Sequence, residues 1–253
     1  LINLSSLQFF IKNKLNNNYI HNIYVDDQTF KMSFSNYKID KGIYERILGK
    51  REPSTVAILK CLLGLNAKIL EIGACYGYFT IIMSKLIGSS GRILSIEGTP
   101  NNFQILKNNL KLNNINNVDL ENLFVTSKTQ NEILFNKNHQ NAYNQIHNLE
   151  DYTNTENNET NQIKVNSSKI SNLLIKKNFE PEFIFMDIEG CEIDVIEDIF
   201  LNYKFKYKPI ILFEIHHDYY DNTRDYNFIK NFLKKQSYKL IEIDNNLLCR
   251  PNE

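Results

Sequence analysis

Apolar residues in this chain keep two alternating rhythms. Residues 68–72, 92–96, 183–186 and 209–213 are short, largely apolar runs bounded by turn or polar residues, the pattern of strands in a covered sheet, and 118–123 reads as a further strand among them. Residues 78–87, 100–112, 168–176, 191–200 and 226–235 instead space apolar side chains three and four apart, the pattern of helices with one buried face. Phe103, Ile105, Leu106 and Leu110 are core candidates in one of these helices, and Ile193, Val195, Ile196 and Ile199 in another. Strands that alternate with helices of this length pair in parallel through right-handed crossovers. The ordering predicts one α/β domain, Rossmann-like, with a mostly parallel central sheet and helices on both faces. Residues 238–243 add a final strand, expected at an edge.

Two regions depart from that rhythm. Residues 1–50 read as a preface, with an amphipathic helix over 5–15, a strand-like stretch over 22–32 and helical spacing at Ile43 and Ile47. Pro53 then opens a helix whose apolar face is Val56, Leu59, Leu62 and Leu63. The domain proper is therefore taken as 51–253. Residues 127–162 are rich in Asn, Gln, Thr and Glu, with Ile133, Leu134 and Phe135 as their strongly apolar stretch. So long a structureless loop is unusual inside a domain. The segment reads as a polar insertion holding a short hairpin, either a tolerated surface expansion or a substrate lid.

Composition narrows the function classes. Lys+Arg and Asp+Glu both number 29, giving a formal net charge of zero, so bulk charge favours neither nucleic acid nor an anionic membrane as partner. No apolar run approaches the roughly 18 residues of a membrane span. Cys61, Cys75, Cys191 and Cys249 are scattered without a CxxC pair, which favours free thiols in a reducing, cytoplasmic compartment. Leu1-Ile2-Asn3-Leu4 has neither the charge nor the long apolar core of a signal peptide, and no initiator Met, as expected of a chain that starts within a longer product. The chain contains 37 asparagines, so no single Asn carries an argument.

Candidate chemistry collects at strand ends, where open α/β sheets bind ligands. Glu71, Glu97, Asp187 and Glu214 each close an apolar run. Gly73 and Gly77 follow Glu71 with a G-x-x-x-G spacing that is not the dinucleotide G-x-G-x-x-G, and no Lys-Ser or Lys-Thr pair makes a phosphate loop. A carboxylate at Glu71 repels pyrophosphate but suits the cationic aminoacyl part of S-adenosylmethionine, and Glu97 can accept from both ribose hydroxyls. A methyl donor is therefore favoured over a nicotinamide dinucleotide. Glu214 and His216 share one side of an extended segment. His216 has a reference pKa near neutrality and is a candidate base; structural pairing with an acid is its alternative role. Asp, Glu and His near one cleft also suit a divalent metal, but no compact ligand motif is present, so no metal is expected.

The run Glu71-Ile-Gly-Ala-Cys-Tyr-Gly-Tyr-Phe-Thr80 resembles the cofactor loop of the FkbM-type methyltransferases, within the class I S-adenosylmethionine-dependent fold. Further matches are Gly91-Arg92, Glu97 with Pro100 and Phe103, the Asn108-Asn109, Asn113 and Val118 cadence, Asp187-Ile188-Glu189-Gly190-Cys191-Glu192, and the strand leading to Glu214 and His216. The resemblance implies S-adenosylmethionine as cofactor. It implies Glu71, Gly73, Ala74, Cys75 and Gly77 at the methionine side, Glu97 at the ribose, and Glu121 and Asn122 near adenine. It implies site roles for Asp187 and Glu189, with Glu214 and His216 beside them; Glu192 is divided between capping its helix and function. It implies O-methylation of a sugar, a small metabolite or a conjugate. Two positions depart from the family: Phe185 replaces a Lys before the Asp-x-Glu-Gly segment, and the Asp of a Leu-Asp pair is missing near Ile170-Ser171-Asn172.

Alternative readings are a degenerate cofactor-binding or scaffold protein and a nucleic-acid methyltransferase, the latter disfavoured by the acidic segment after Asp187. An oxidoreductase would require nicotinamide binding. The last strand offers an edge for a homodimer, unless Lys234, Lys235 and Lys239 protect it.

Overall fold

The computed structural model describes residues 20–34, 40–125, 132–136, 162–188, 190–216, 220 and 224–252, with side-chain surroundings defined for all of these except 132–136 and 162–164. A seven-stranded sheet runs in the order β11-β12-β10-β9-β3-β4-β5. Its strands are β3 (Lys68–Ile72), β4 (Arg92–Glu97), β5 (Val118–Asn122), β9 (Phe183–Met186), β10 (Ile210–Glu214), β11 (Tyr238–Ile243) and β12 (Asn246–Pro251). The five strands from β10 to β5 are parallel, and β12 is antiparallel to both of its neighbours. The Rossmann-like expectation is met, and β11 lies at a sheet edge as predicted.

Side chains alternate across the sheet with period two and supply two cores. Ile69, Ile93, Phe183, Phe185 and Leu212 face α2 (Pro53–Leu62), α3 (Tyr78–Ile87) and α4 (Pro100–Leu112). Leu70, Ile72, Leu94, Ile96, Ile184, Met186, Ile211 and Phe213 face α5 (Ile170–Lys177), α6 (Glu192–Asn202) and α7 (Tyr226–Lys235). Both faces are covered at the centre of the sheet, which is why β4, β9 and β10 read as largely continuous apolar runs while the edge strands β5 and β11 mix apolar and polar residues.

The strand-like stretch at 22–32 is a hairpin, β1 (Ile20–Val25) and β2 (Gln28–Ser33), turned at Asp26 with φ 50°. Its inner residues Ile23, Val25, Phe30 and Met32 join the first core. Asparagines of α4 dock it: Ser33 N donates to Asn109 Oδ1 and Lys31 N to Asn113 Oδ1, both at 2.8 Å. Asn109 Nδ2 also donates to Tyr76 O at 2.9 Å, tying the hairpin to the glycine turn. α1 (Lys41–Ile47) follows, capped by Asp40, whose Oδ1 accepts from Ile43 N at 2.8 Å.

Three expectations change. β12 was not anticipated: Leu247, Leu248 and Cys249 form too short an apolar run to stand out, yet the strand inserts between β10 and β11. A second sheet, β6-β8-β7, forms from β6 (Phe124–Val125), β7 (Glu132–Asn136) and β8 (Gln162–Ser168), so Ser168 closes a strand rather than opening the helix that starts at Ile170. The hairpin expected in the insertion is the β7–β8 pair, with its second strand running beyond residue 162. The helix expected over 5–15, and residues 127–131 and 137–161 of the insertion, lie outside the described residues. Among the described residues no helix is long and apolar enough to cross a membrane.

Candidate active site

A cavity of about 270 Å³ opens over the carboxyl ends of β3, β4 and β9. Its walls include Gly73, Cys75 and Tyr76 from the turn after β3, Glu97, Gly98, Thr99 and Asn102 after β4, Leu123–Val125 beyond β5, and Asp187, Ile188 and Cys191 after β9. Gly42, Arg46 and Arg51 reach it from the amino-terminal segment.

The turn is built by backbone constraints. Gly73 N and Ala74 N both donate to Ile96 O, at 2.9 and 3.0 Å, which binds the turn to β4. Gly73 has φ 89°, and a Cβ there would lie 2.0 Å from Asp187 O, so only glycine fits between β3 and β9. Gly77, at φ 87°, precedes the first turn of α3. Gly73 and Cys75 reach the cavity wall; Ala74 and Gly77 shape the turn from behind it.

Glu97 lines the cavity with its carboxylate held in place. Oε2 accepts from Cys75 N and Oε1 from Thr99 N, both at 2.8 Å. Burial pushes its pKa up to about 7 despite these donors. Oε1 also accepts from Asn102 Nδ2 at 3.5 Å, while Oε2 retains a lone pair for a further donor.

Glu71 is placed differently from the expectation. Period two turns it onto the α3 face of the sheet, on the same side as Ile69, and it is not on the cavity wall. Oε2 accepts from Thr80 Oγ1 and Ser95 Oγ, each at 2.7 Å, and Oε1 is buried without a partner among the described residues. Burial raises its pKa to about 7. It braces strand, helix and neighbouring strand beneath the turn.

The adenine-side expectation also shifts along the chain. Glu121 pairs with Lys177, and Asn122 Nδ2 donates to Glu97 O and Gly98 O at 2.8 and 3.1 Å. Neither lines the cavity; Leu123, Phe124 and Val125 do. The asparagine amide is consumed by carbonyls of the β4–α4 turn, and the chain then leaves β5 across the cavity.

At the other end, Asp187, Glu214 and His216 come together at the ends of adjacent strands. His216 Nε2 lies 3.7 Å from both Asp187 Oδ1 and Glu214 Oε2, while Nδ1 is 2.9 Å from Glu192 Oε1. Glu192 is fully buried and also accepts from Gly190 N at 2.9 Å, so it joins the turn ahead of α6 to the histidine; it does not cap a helix amide. Burial pulls the His216 pKa down, but the Glu192 hydrogen bond and the Asp187 and Glu214 charges outweigh it, raising the pKa to about 9. Burial, then Asp187 and Glu52, push Glu214 up to about 8. The three side chains offer ligand atoms within 4.8 Å of one another, a spacing that also suits a cation. Glu189 lies outside the described residues.

Residues 71–240 match the model of the methyltransferase FkbM domain. The chain belongs to the FkbM-type methyltransferases, a class I S-adenosylmethionine-dependent family, and S-adenosylmethionine is its cofactor. Over 70 residues the chain is 34% identical to a protein-L-isoaspartate O-methyltransferase of Methanothrix thermoacetophila, a match covering 27% of this chain; it spans about a third (33%) of that relative's length. Two solved structures share the fold. An O-methyltransferase from Bacillus cereus, solved with SAH, superposes with TM-score 0.50 at 14% identity, over 78% of this chain and 81% of that one. A ribosomal protein L11 methylase from Lactobacillus delbrueckii subsp. bulgaricus gives TM-score 0.50 at 12% identity, over 92% and 100%.

The cavity chemistry fits this cofactor. Glu97 offers acceptors for a ribose diol, Ile96, Leu123 and Phe124 offer apolar surface for a base, and Asp187 supplies negative charge towards a sulfonium. Arg46, Arg51, Tyr76 and Leu123–Val125 are wall residues that the motif reading missed. Arg46 stands four residues after Gly42, on one helix face, and Arg51 just before the Pro53 helix start; only the fold places them at the turn.

Proposed function

We propose that this FkbM-family chain is an O-methyltransferase whose acceptor is the hydroxyl of a sugar, a small metabolite or a conjugate of either. The observation that supports the reading best is the Asp187–Glu214–His216 group standing at one end of the donor cavity. When bound, S-adenosylmethionine supplies a methyl group already activated on sulfur, so alignment and proton removal are the protein's tasks.

Asp187 is the member of the group on the cavity wall, and we assign it contact with the acceptor hydroxyl. It orients the oxygen and takes up its proton. His216, protonated near neutrality and held by Glu192, fixes the charge behind that carboxylate. Glu214 and His216 together provide groups that hold a proton in the physiological range. Gly73, Cys75, Tyr76 and Glu97 are assigned to the donor, with Leu123–Val125 as the adenine wall in place of Glu121 and Asn122. The protein-L-isoaspartate O-methyltransferase relative, by its name, also methylates oxygen.

The two departures from the family pattern fall outside the cavity. Phe185 is buried in the first core with its ring 5.1 Å from that of Phe79. Ser171 donates to Asp198 of α6 through both its backbone N and Oγ, at 2.8 and 2.7 Å. Both are packing differences, which favours an active enzyme over a degenerate scaffold.

The test has two stages. Calorimetric titration with S-adenosylhomocysteine, against NAD as control, is expected to give saturable one-to-one binding of the former alone. A labelled-methyl screen of hydroxylated and amino acceptors should then find transfer to hydroxyls. Transfer confined to amines, or to none with donor bound, would refute the O-methyl reading.

A further inference from the structure

The cavity has a cationic wall that the glycine motif does not encode. α1 carries Gly42 and Arg46 on one face, and both line the cavity. A Cβ at Gly42 would lie 3.1 Å from Arg46 Nη1, so the absent side chain leaves a lane along which the guanidinium lies. The guanidinium carbon sits 5.7 Å from the centroid of the Tyr76 ring, and Tyr76 belongs to the turn after β3. Tyr76 is itself fixed by an edge contact with Phe34, at 5.6 Å, and by the bond from Asn109 to its carbonyl. Helix, hairpin and turn therefore hold Arg46 over the donor cavity as one packed unit.

Arg46 is not spent on the protein in the way its neighbour is. Arg51 pairs with Glu45 and Glu52. Nε of both arginines is buried without a well-aligned hydrogen bond among the described residues, and what sets Arg46 apart is that it forms no ion pair there. A buried guanidinium N–H left unmade is costly, and a carboxylate is the group that matches its planar donor fork. Its charge acts on Cys75 in the turn and on Glu52.

We propose that Arg46 binds the carboxylate of the cofactor's methionine part, with the Tyr76 ring as its platform. This rests on the donor-site reading above. In that reading Glu97 and Leu123–Val125 take the ribose and base, which leaves the aminoacyl end across the turn, on the Arg46 side. Asp40, Glu97 and Asp187 on the wall repel a carboxylate, so a cation is required for it there. The amino-terminal segment thereby completes a donor site whose other parts belong to the sheet.

The test compares two ligands, S-adenosylhomocysteine and 5′-methylthioadenosine, which lacks the aminoacyl part, on the wild-type chain and Arg46→Gln by calorimetry. Arg46→Gln is expected to weaken S-adenosylhomocysteine binding by about tenfold to a hundredfold, the range of a charge-assisted pair. Binding of 5′-methylthioadenosine should change less than about twofold, which also shows that the variant is folded. Unchanged S-adenosylhomocysteine affinity, or equal weakening of both ligands, overturns the assignment. A second measurement needs no variant: on the wild-type chain, decarboxylated S-adenosylhomocysteine should bind about tenfold or more weakly than the parent compound. Equal affinity there overturns the assignment as well. Failure of the wild-type chain to bind either nucleoside overturns the donor-site reading itself, a result distinct from the others.

Discussion

The two halves of the strand-end crevice handle carboxylates in opposite ways. On the β3–β4 side, Glu71 and Glu97 are buried among hydroxyl and amide donors and form no ion pair among the described residues. On the β9–β10 side, Asp187 and Glu214 face a histidine at 3.7 Å, too far for a hydrogen bond and close enough for strong charge coupling. The first arrangement is held by hydrogen bonds within the fold. In the second, the groups shift one another's protons through their charges, whereas burial is the main cause of the raised pKa values of Glu71 and Glu97, so the second responds to whatever charge enters. A rigid donor half beside a titratable half is what methyl transfer to a hydroxyl requires, because one side positions and the other must take up a proton.

The comparison is broken most severely at Asp187. Asp187→Asn keeps the shape of the side chain and removes its ability to accept a proton as a carboxylate. Turnover should fall by about a hundredfold to ten-thousandfold, while S-adenosylhomocysteine affinity stays within about threefold. Parallel single-turnover and binding assays measure the split. A large loss of donor affinity would mean that the two halves are not separable.

Next in size is the pH dependence carried by Glu71. Its folded pKa is about 7 against a reference of 4.5, so the folded chain holds a proton that the unfolded chain has released. Its contribution to stability is complete below about pH 4.5 and is lost as pH rises through 7. At 1.36 kcal/mol per unit, the loss is about 3 kcal/mol. Glu71→Gln should remove only the Glu71 share of the slope between pH 5 and 7 in denaturant titrations, because Glu97 and Glu214, raised to about 7 and about 8, add slopes of the same sign there. His216, with its folded pKa raised to about 9 from 6.5, also loses its contribution as pH rises, but through a higher window. A slope between pH 7 and 9 should therefore persist in Glu71→Gln. If the variant loses both slopes together, the two halves titrate as one network.

A smaller effect, of opposite kind to that of Asp187, is expected at Glu97. Glu97→Gln retains an oxygen but presents one acceptor where the carboxylate had two, so donor affinity should drop by about tenfold. At saturating donor, turnover should be little changed. Calorimetry paired with donor-saturation kinetics distinguishes this from a general loss of the site, in which both quantities would fall.

The unequal halves also explain what could be read in the sequence. The parallel core was legible because buried strands and one-faced helices leave periodic apolar patterns, and Gly73 and Gly77 were legible because backbone geometry selects glycine. Glu71 misled because an acid at a strand end looks the same whether it faces the cleft or the sheet, and here period two turns it under α3. β12 was hidden because only three consecutive apolar residues mark it, with its pairing partners on both sides supplying the rest. Arg46 and Arg51 were beyond reach from sequence: their place at the cavity depends on hairpin docking through Asn109 and Asn113, a contact between residues some eighty apart. Asparagine abundance concealed these working residues among many others.

Asn122 is the mildest way to sharpen the comparison. Its side chain donates to the carbonyls of Glu97 and Gly98, which places it behind the donor wall rather than against adenine. Asn122→Ala deletes two hydrogen bonds to carbonyls in a partly buried turn, and stability should fall by about 1–2 kcal/mol. Glu97 keeps the amide donors of Cys75 and Thr99, so its carboxylate should hold position and donor affinity should shift less than about threefold. Thermal unfolding and calorimetry on the same preparation separate the two quantities. A tenfold loss of donor affinity with unchanged stability would restore Asn122 to the adenine contact that its position after β5 first suggested. It would also show that the rigid half responds to its ligand as the titratable half does.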